Sequence, residues 1–379
     1  MSRRRMIGAD RRFLRLALAL AARGAGQTDP NPMVGAVLVR DGRVVGQGYH
    51  TRAGAPHAEA VALAQAGDRS RGAVLYVNLE PCCHFGRTPP CVDAIVAGGV
   101  RRVVACMRDP DPRVRGRGFR ALRAAGVQVR MGALAREAGI LNQPFVRRIG
   151  AGRPLVTLKA GMSLDGRIAT RTGESRWVTS PQARAAAREL RRRHDAVLVG
   201  VNTVLRDDPR LTVRASRGGP GGRGGGPVRV VLDARLRTPP RSRLLRDGGP
   251  QVIIVTLRSA SAGRRRRLQV AGALVLDVPG RNGQVSIDRA VRELGRRGIG
   301  SVLVEGGSEV LGAMLDARLA DRLVLFVAGR VLGGRAALPV FGGRGASRLR
   351  DAARLEKMTV RPVGRDYRIE GSLTFPGGA

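Results

Sequence analysis

One histidine, a glutamate two residues on and two well-separated cysteines are the residues here best suited to chemistry. His57-Ala58-Glu59 opens a stretch that reads as a helix, Pro81-Cys82 follows the next strand, and Cys91 begins another helix. One imidazole and two thiolates hold a zinc ion with its fourth position open, the arrangement of a catalytic rather than a structural site. Water in that position falls to a pKa of about 7 and supplies hydroxide at neutral pH. Glu59 lies beside this set without belonging to it, placed to shuttle protons. One Zn2+ per chain is expected, on His57, Cys82 and Cys91.

The H-x-E plus P-C pattern is the signature of zinc nucleobase deaminases, with one departure: the usual pair is C-x-x-C, whereas eight residues separate Cys82 from Cys91. Cys83 competes for the metal, but adjacent side chains diverge, so it is read as a bystander. Cys91 at a helix start should have its thiol pKa lowered by the positive dipole end. Cys106 ends an apolar strand and reads as a small buried hydrophobe. His84 reads as loop packing, and His194 as a residue favoured at a helix C-terminus by the dipole. A bland alternative leaves His57 as a mere polar cap.

These residues need a frame to position them. Residues 34–39 and 44–49 read as a hairpin around Asp41-Gly42. A helix over 57–66, a strand at 73–78, a helix at 91–97, a strand at 101–106, a helix near 117–125 and a strand at 127–131 follow. Such alternation predicts a three-layer α/β sandwich. A Gly/Pro signal near Gly150 to Pro154 marks a boundary between domains at 1–150 and 151–379. Strands are then expected near 155–160, 196–200, 228–232, 251–256, 273–276, 301–304 and 322–328. Ser180 and Pro181 begin a helix, and Ser308 to Leu319 form another whose N-terminus favours anions after Gly306-Gly307. Residues 215–227 are low complexity and read as a surface loop; their formal G-x-G-x-x-G fails the strand-to-helix context of a dinucleotide site.

At 379 residues the chain suits two or three domains of about 150 residues. Its net charge of +39 comes from 68 Lys+Arg against 29 Asp+Glu. Only Lys159 and Lys357 are lysines, and the arginines are spread along the chain among abundant Gly, Ala and Pro. Such codon bias explains much of the excess, and a basic patch for phosphorylated ligands is the competing account. Aromatics at 3% leave few stacking platforms for single-stranded nucleic acid. No apolar run reaches the roughly 18 residues of a membrane span. Arg11-Arg12-Phe13-Leu14-Arg15 mimics a twin-arginine signal, but Phe13, Leu16, Leu20 and Arg23 fit an amphipathic first helix better. Four clustered cysteines argue against a secreted disulfide framework, and the expected compartment is the cytoplasm.

From Pro81-Cys82-Cys83-His84-Phe85-Gly86-Arg87-Thr88-Pro89-Pro90-Cys91 the sequence resembles the bifunctional riboflavin-biosynthesis deaminase/reductases, a family that carries this same insertion between its zinc thiols. The resemblance continues through Asp29 to Gly35, Gly48-Tyr49-His50, Asp109 to Pro112, Leu158-Lys159, Ser163 to Ala169, Gly173 to Trp177, Thr203 to Arg214 and Val304 to Gly307. It spans about residues 9 to 375. It implies a cytidine-deaminase-like sandwich followed by a dihydrofolate-reductase-like α/β domain. The first would hydrolytically deaminate a phosphoribosylated diaminopyrimidine; the second would reduce ribosyl to ribityl with NADPH.

By position in that family, Asn31, His50, Arg87, Asp109 and Asp111 would line the pyrimidine site. Arg87 stands where Lys is frequent and keeps the cation for a phosphate. Asp111 replaces a frequent Asn and exchanges a donor for an acceptor. In the second domain Gly161, Trp177, Thr203, Asp207 and the run Gly307, Ser308, Glu309, Val310, Leu311, Gly312 and Ala313 would meet NADPH. Lys159, Ser175, Arg191, Leu211, Arg214 and Glu305 would meet substrate, with Glu305 orienting sugar hydroxyls. Arg184 and Arg188 share a helical face with Arg191 and also fit a solvated basic face; Trp177 also fits a core role; Ala234 replaces a cofactor-contacting Ser of some relatives. Expected partners are the phosphorylated pyrimidine, NADPH and a further copy of the chain, with no specific nucleic acid and no membrane. The rival readings are a nucleic-acid-acting zinc deaminase and a non-catalytic zinc-stabilised binding protein.

Overall fold

The computed structural model describes residues 3–86, 88–213 and 226–377. Arg87, Arg214 and most of the glycine-rich loop expected over 215–227 lie outside the described residues. The chain forms two compact units, Met1–Gly152 and Arg153–Ala379.

In the first unit the elements run α1 (Arg3–Ala22), β1 (Gly35–Arg40), β2 (Arg43–Tyr49), α2 (Ala58–Ala66), β3 (Val74–Leu79), α3 (Cys91–Ala97), β4 (Arg102–Met107), α4 (Arg117–Ala124), β5 (Gln128–Met131), α5 (Ala135–Leu141) and α6 (Gln143–Ala151). The sheet order is β2-β1-β3-β4-β5; β1 is antiparallel to β2 and β3, and β3, β4 and β5 run parallel. Its strands are apolar on both faces because both are covered. Ala36, Leu38, Leu75 and Val77 pack with Ala58, Ala62, Val92, Ile95, Phe119 and Leu122 of α2, α3 and α4. Val37, Val39, Tyr76 and Cys106 pack with Phe13, Leu14, Ala17 and Leu20 of α1 and with Ala138 of α5. This is the expected three-layer sandwich. Two expectations for α1 change: Leu16 is only half-buried beside buried Leu14 and Ala17, and Arg23 lies beyond the helix with its guanidinium 4.7 Å from the Tyr49 ring centre. Helices α5 and α6 were not expected, since the residues before the boundary carry few apolar positions.

The helix that carries His57 and Glu59 lies close on β2 because β2 offers glycines. A Cβ on Gly46 would fall 2.2 Å from the Ala62 carbonyl oxygen, and one on Gly48 would fall 2.7 Å from that of Ala58. Gly48→Ala is therefore expected to push the first turn of α2 off the sheet. We expect a loss of about 1–3 kcal/mol, read as a lower thermal midpoint, together with slower ammonia release. An unchanged midpoint and rate would show that the helix is held by other contacts.

The second unit comprises β6 (Leu155–Ser163), β7 (Arg167–Ala169), α7 (Pro181–Arg192), β8 (Ala196–Gly200), α8 (Val201–Asp207), β9 (Val228–Leu232), α9 (Arg243–Arg246), β10 (Val252–Thr256), α10 (Ala262–Val270), β11 (Ala273–Asp277), β12 (Gly280–Arg281), β13 (Gln284–Val285), α11 (Ile287–Arg296), β14 (Ser301–Gly306), α12 (Ser308–Asp316), β15 (Arg322–Ala328), β16 (Leu338–Pro339), β17 (Arg354–Val363) and β18 (Asp366–Thr374). The main sheet has nine strands in the order β11-β10-β9-β8-β14-β6-β15-β18-β17. From β11 to β15 neighbours are parallel, and β18 returns antiparallel to β15 and β17. Helices α11 and α12 cover one face, and α7, α8, α9 and α10 the other. Ser180 caps α7 by accepting from the Ala183 amide at 3.2 Å. Helix α12 stops at Asp316 rather than Leu319, because Leu319 turns into the core. The β17–β18 hairpin was not expected: β17 is largely exposed, so its sequence lacks a clear buried alternation. Among the described residues no helix is long and apolar enough to cross a membrane.

Candidate active site

In the first unit the chain brings together His57, Cys82 and Cys91, whose ligand atoms all lie within 4.8 Å of one another. His57 caps α2 with its backbone, which leaves the imidazole free of the helix. Its Nδ1 lies 3.1 Å from Cys91 Sγ and 3.5 Å from Cys82 Sγ, while Nε2 lies 3.2 Å from the Thr88 hydroxyl. One nitrogen and two sulfurs at these separations suit the short bonds of a tetrahedral zinc ion, with one side left for substrate.

The dipole argument for Cys91 is corrected. At the start of α3 the Cys91 amide donates to Cys82 Sγ at 3.3 Å, so the helix end serves the neighbouring thiol. Hydrogen bonding from Cys91, assisted by His57, brings Cys82 down to about 4 despite burial. Cys91, facing that thiolate and buried, is pushed up. His57 is raised chiefly by its contact with Cys82. Cys83 points elsewhere, its thiol 3.8 Å from the Arg113 carbonyl oxygen, and Cys106 is fully buried in the apolar core. Cys83→Ser should therefore keep about one zinc per chain and Cys91→Ser should lose it, as measured by metal analysis of the purified variants. Loss of zinc from Cys83→Ser alone would reverse the ligand assignment.

His57 and Cys82 line a cavity of about 350 Å³ with Asn31, His50, Glu59, His84, Asp109, Asp111, Arg113 and Arg148, and Cys91 lies buried behind them. Glu59 is 4% exposed, and burial, with the Cys82 charge, pushes its carboxyl up to about 7. His50 is held neutral by burial: its Nδ1 donates to the Pro56 carbonyl at 3.2 Å, so Nε2 accepts from Asn31 Nδ2 at 3.0 Å. Asp109 accepts from the Asp111 amide at 2.8 Å, and burial raises it to about 7. Asp111 is occupied by Arg113, which donates to both its oxygens at 2.7 to 3.2 Å and lowers its pKa. The substitution of an acceptor for a donor at 111 is thus balanced by a cation two residues on.

Several positioning residues were missed. Asn78 accepts from the Gly35 amide and donates to the Met33 carbonyl, and Asn142 engages both the amide and the carbonyl of Met33. Together they fix the loop that carries Asn31. Glu80, 3% exposed, accepts from the amides of Asp109, Gly116 and Phe119 and so ties down the loop of Asp109 and Asp111. A polar residue inside the apolar run Val74–Leu79 was the signal available for Asn78.

In the second unit a cavity of about 620 Å³ gathers Thr203, Gly307, Glu309, Val310 and Ala313, beside Asn202, Arg235 and Arg237. Gly307 has φ 83, which favours glycine, and a Cβ on Gly306 would sit 3.1 Å from the Thr203 hydroxyl oxygen, a contact that Thr203 would have to shift to relieve. Ser308 and Leu311 are buried, and Gly312 packs against Gly342; their side chains do not line this cavity. Gly161 faces Thr179, and Ser175 is half-buried just ahead of that segment. Trp177 is 61% exposed and therefore not core; the Arg184 guanidinium lies 4.2 Å from its ring centre, and Arg184 also donates to the Thr179 carbonyl. The Asp207 carbonyl accepts from Arg176 at 3.0 Å. Leu211 is 3% exposed among apolar residues, so its side chain belongs to the core.

Arg191 forms a bidentate pair with Glu305, Nε to Oε1 at 2.8 Å and Nη2 to Oε2 at 2.7 Å. Burial alone would raise Glu305, but Lys159 and Arg191 outweigh it and hold the carboxyl below its ordinary value. Each Glu305 oxygen accepts one bond from Arg191, which fixes the carboxylate and leaves one further acceptor site on each oxygen. His194 is also corrected. Its Nδ1 donates to the Leu190 carbonyl at 2.7 Å and Nε2 meets the Thr157 hydroxyl at 2.9 Å, and burial lowers its pKa. A neutral bridge, not a cation on a helix dipole, is what this residue provides.

The comparisons with known proteins agree with both halves. A family model of the cytidine and deoxycytidylate deaminase zinc-binding region matches residues 8–107, and one of the RibD C-terminal domain matches residues 154–369. The riboflavin biosynthesis protein RibD of Aquifex aeolicus is 42% identical over 95% of this chain and 97% of its own length. That of Escherichia coli is 42% identical over 94% and 97%. Among solved structures, Acinetobacter baumannii RibD superposes with a TM-score of 0.87 at 35% identity, covering 97% of this chain and 99% of that one. A Thermotoga maritima diaminohydroxyphosphoribosylaminopyrimidine deaminase/5-amino-6-(5-phosphoribosylamino)uracil reductase does so with a TM-score of 0.82 at 34% identity, covering 97% and 100%. The match over residues 154–369 accounts for the half of the chain that a nucleic-acid-acting deaminase leaves without a role. The chain belongs to the RibD family of riboflavin-biosynthesis enzymes, which join a zinc-dependent deaminase to an NADPH-dependent reductase in one polypeptide.

Proposed function

We propose that the unit of residues 1–152 deaminates a diaminohydroxyphosphoribosylaminopyrimidine and that the unit of residues 153–379 reduces the resulting 5-amino-6-(5-phosphoribosylamino)uracil. The observation that carries the first half is that His57, Cys82 and Cys91 bring their ligand atoms within 4.8 Å of one another at the edge of a cavity lined by His57, Cys82 and buried Glu59. His57, Cys82 and Cys91 hold the zinc, which when bound supplies the Lewis acidity that makes water nucleophilic near neutral pH. Glu59 takes the proton of the attacking water and returns it to the exocyclic nitrogen. The C–N bond then breaks and ammonia leaves, while the second water proton passes to the adjacent ring nitrogen and the ring carbon is left as a carbonyl. Asn31, oriented by His50, offers its amide oxygen to the pyrimidine edge; Asp109 offers a carboxyl that burial favours as a donor.

In the second unit NADPH supplies the hydride, and the protein's task is position. Thr203 and the Gly306-Gly307 turn let backbone approach the cofactor in the larger cavity, with Glu309, Val310 and Ala313 along its wall. Lys159, Arg191 and Glu305 form the charged group assigned to the sugar. The test is to measure ammonia release and NADPH oxidation separately on the purified chain. Both activities are expected, each on its own substrate; absence of either removes the corresponding half of the reading.

A further inference from the structure

We propose that Arg148 contacts the substrate's phosphate in the first unit and makes this site select phosphorylated pyrimidines. The inference rests on the deaminase reading and adds a specificity residue to it. Four carboxyl-bearing residues line the cavity, Glu59, Glu80, Asp109 and Asp111, all of them buried. A phosphate dianion must be held where the wall offers uncommitted positive charge. Two described arginines line it, Arg113 and Arg148. Arg113 is spent on both oxygens of Asp111.

Arg148 is differently placed. It projects from α6, where its Nη2 donates to the Pro30 carbonyl and its guanidinium stands 5.7 Å from the Phe145 ring centre. A carbonyl and a ring hold the fork without neutralising it. Its Nε is buried and has no hydrogen-bond partner among the described residues. A buried donor without an acceptor is costly, and a planar guanidinium matches two phosphate oxygens at once. Through Pro30 the same side chain borders Asn31, so phosphate and pyrimidine contacts would be set by one loop.

The experiment compares ammonia release by the full-length chain from the phosphoribosylated pyrimidine and from the same compound lacking its phosphate. Arg148→Met should lower kcat/KM on the phosphorylated compound by about 10- to 100-fold, the size of a lost charged hydrogen bond. The loss on the unphosphorylated compound should be much smaller, and zinc content and NADPH oxidation should stay unchanged. Arg148→Lys should keep part of the preference, through charge without the fork. Equal losses on the two compounds would overturn the proposal and leave Arg148 as a support for the Pro30–Asn31 loop. A wild-type chain that releases ammonia from neither compound would overturn the deaminase reading itself, and this inference with it.

Discussion

Glu59→Ala is expected to slow ammonia release by about 100- to 10,000-fold, the range for loss of a positioned proton shuttle, with zinc content and NADPH oxidation unchanged. Glu59 sits one residue into α2, two positions from His57, and lines the cavity together with His57 and Cys82. Hydrolysis needs one group to take a proton from water and deliver it to a nitrogen, and hydroxide alone cannot protonate a leaving amine. Asp109 is the competing carboxyl in the same cavity, but its Oδ1 accepts from the Asp111 amide, which ties it to the loop. Asp109→Asn should therefore raise KM more than it lowers kcat, whereas Glu59→Gln should act on kcat. Feeding the already deaminated intermediate should restore NADPH oxidation fully in Glu59→Ala. Near wild-type ammonia release by that variant would take Glu59 out of the mechanism.

The contrast between what the sequence made legible and what it hid follows the range of the contacts involved. His57, Glu59, Cys82 and Cys91 were readable because each sits at a helix start or strand end marked by local signals such as Pro81, Pro90 and Gly98. The parallel strands were readable because burial on both faces leaves continuous apolar runs. Asn78, Glu80 and Asn142 were hidden because their partners lie 29 to 109 residues away, and nothing local marks a carboxylate that collects three distant amides. The Arg113 pairing with Asp111 is local, yet in a chain so rich in arginine one more Arg carries no signal. Helix α6 was missed for the same reason, since only Phe145 of its residues is buried. The family resemblance supplied the roles of Lys159, Arg191 and Glu305, but only the structure shows that Arg191 grips both oxygens of Glu305.

That pairing changes what a substitution at Glu305 should do. The side chains are 6% and 18% exposed, and Arg191 also donates to the Thr212 carbonyl, so its guanidinium is fixed on three atoms. Removing one member of a buried pair strands the other charge at a cost of about 3–5 kcal/mol. Glu305→Gln should therefore lower NADPH oxidation by about 100-fold or more and also lower the thermal midpoint, while ammonia release continues. Lys159→Arg should weaken reduction too, because a planar fork cannot occupy the place of a compact ammonium facing the same carboxylate. Stability and site function separate in the double variant Arg191→Met with Glu305→Leu. With both of these charges gone, only the half-buried Lys159 and the Thr212 carbonyl lose a partner, and replacing a buried pair by apolar groups is often neutral. We expect the double variant to recover most of the thermal midpoint but not NADPH oxidation, since the two charged groups proposed to meet the sugar are gone. Recovery of both would make the pair a structural tie and move the substrate contact away from Arg191. If ammonia release fell in parallel in the single variants, the two activities would not be independent, and the assignment of one reaction to each unit would fail with it.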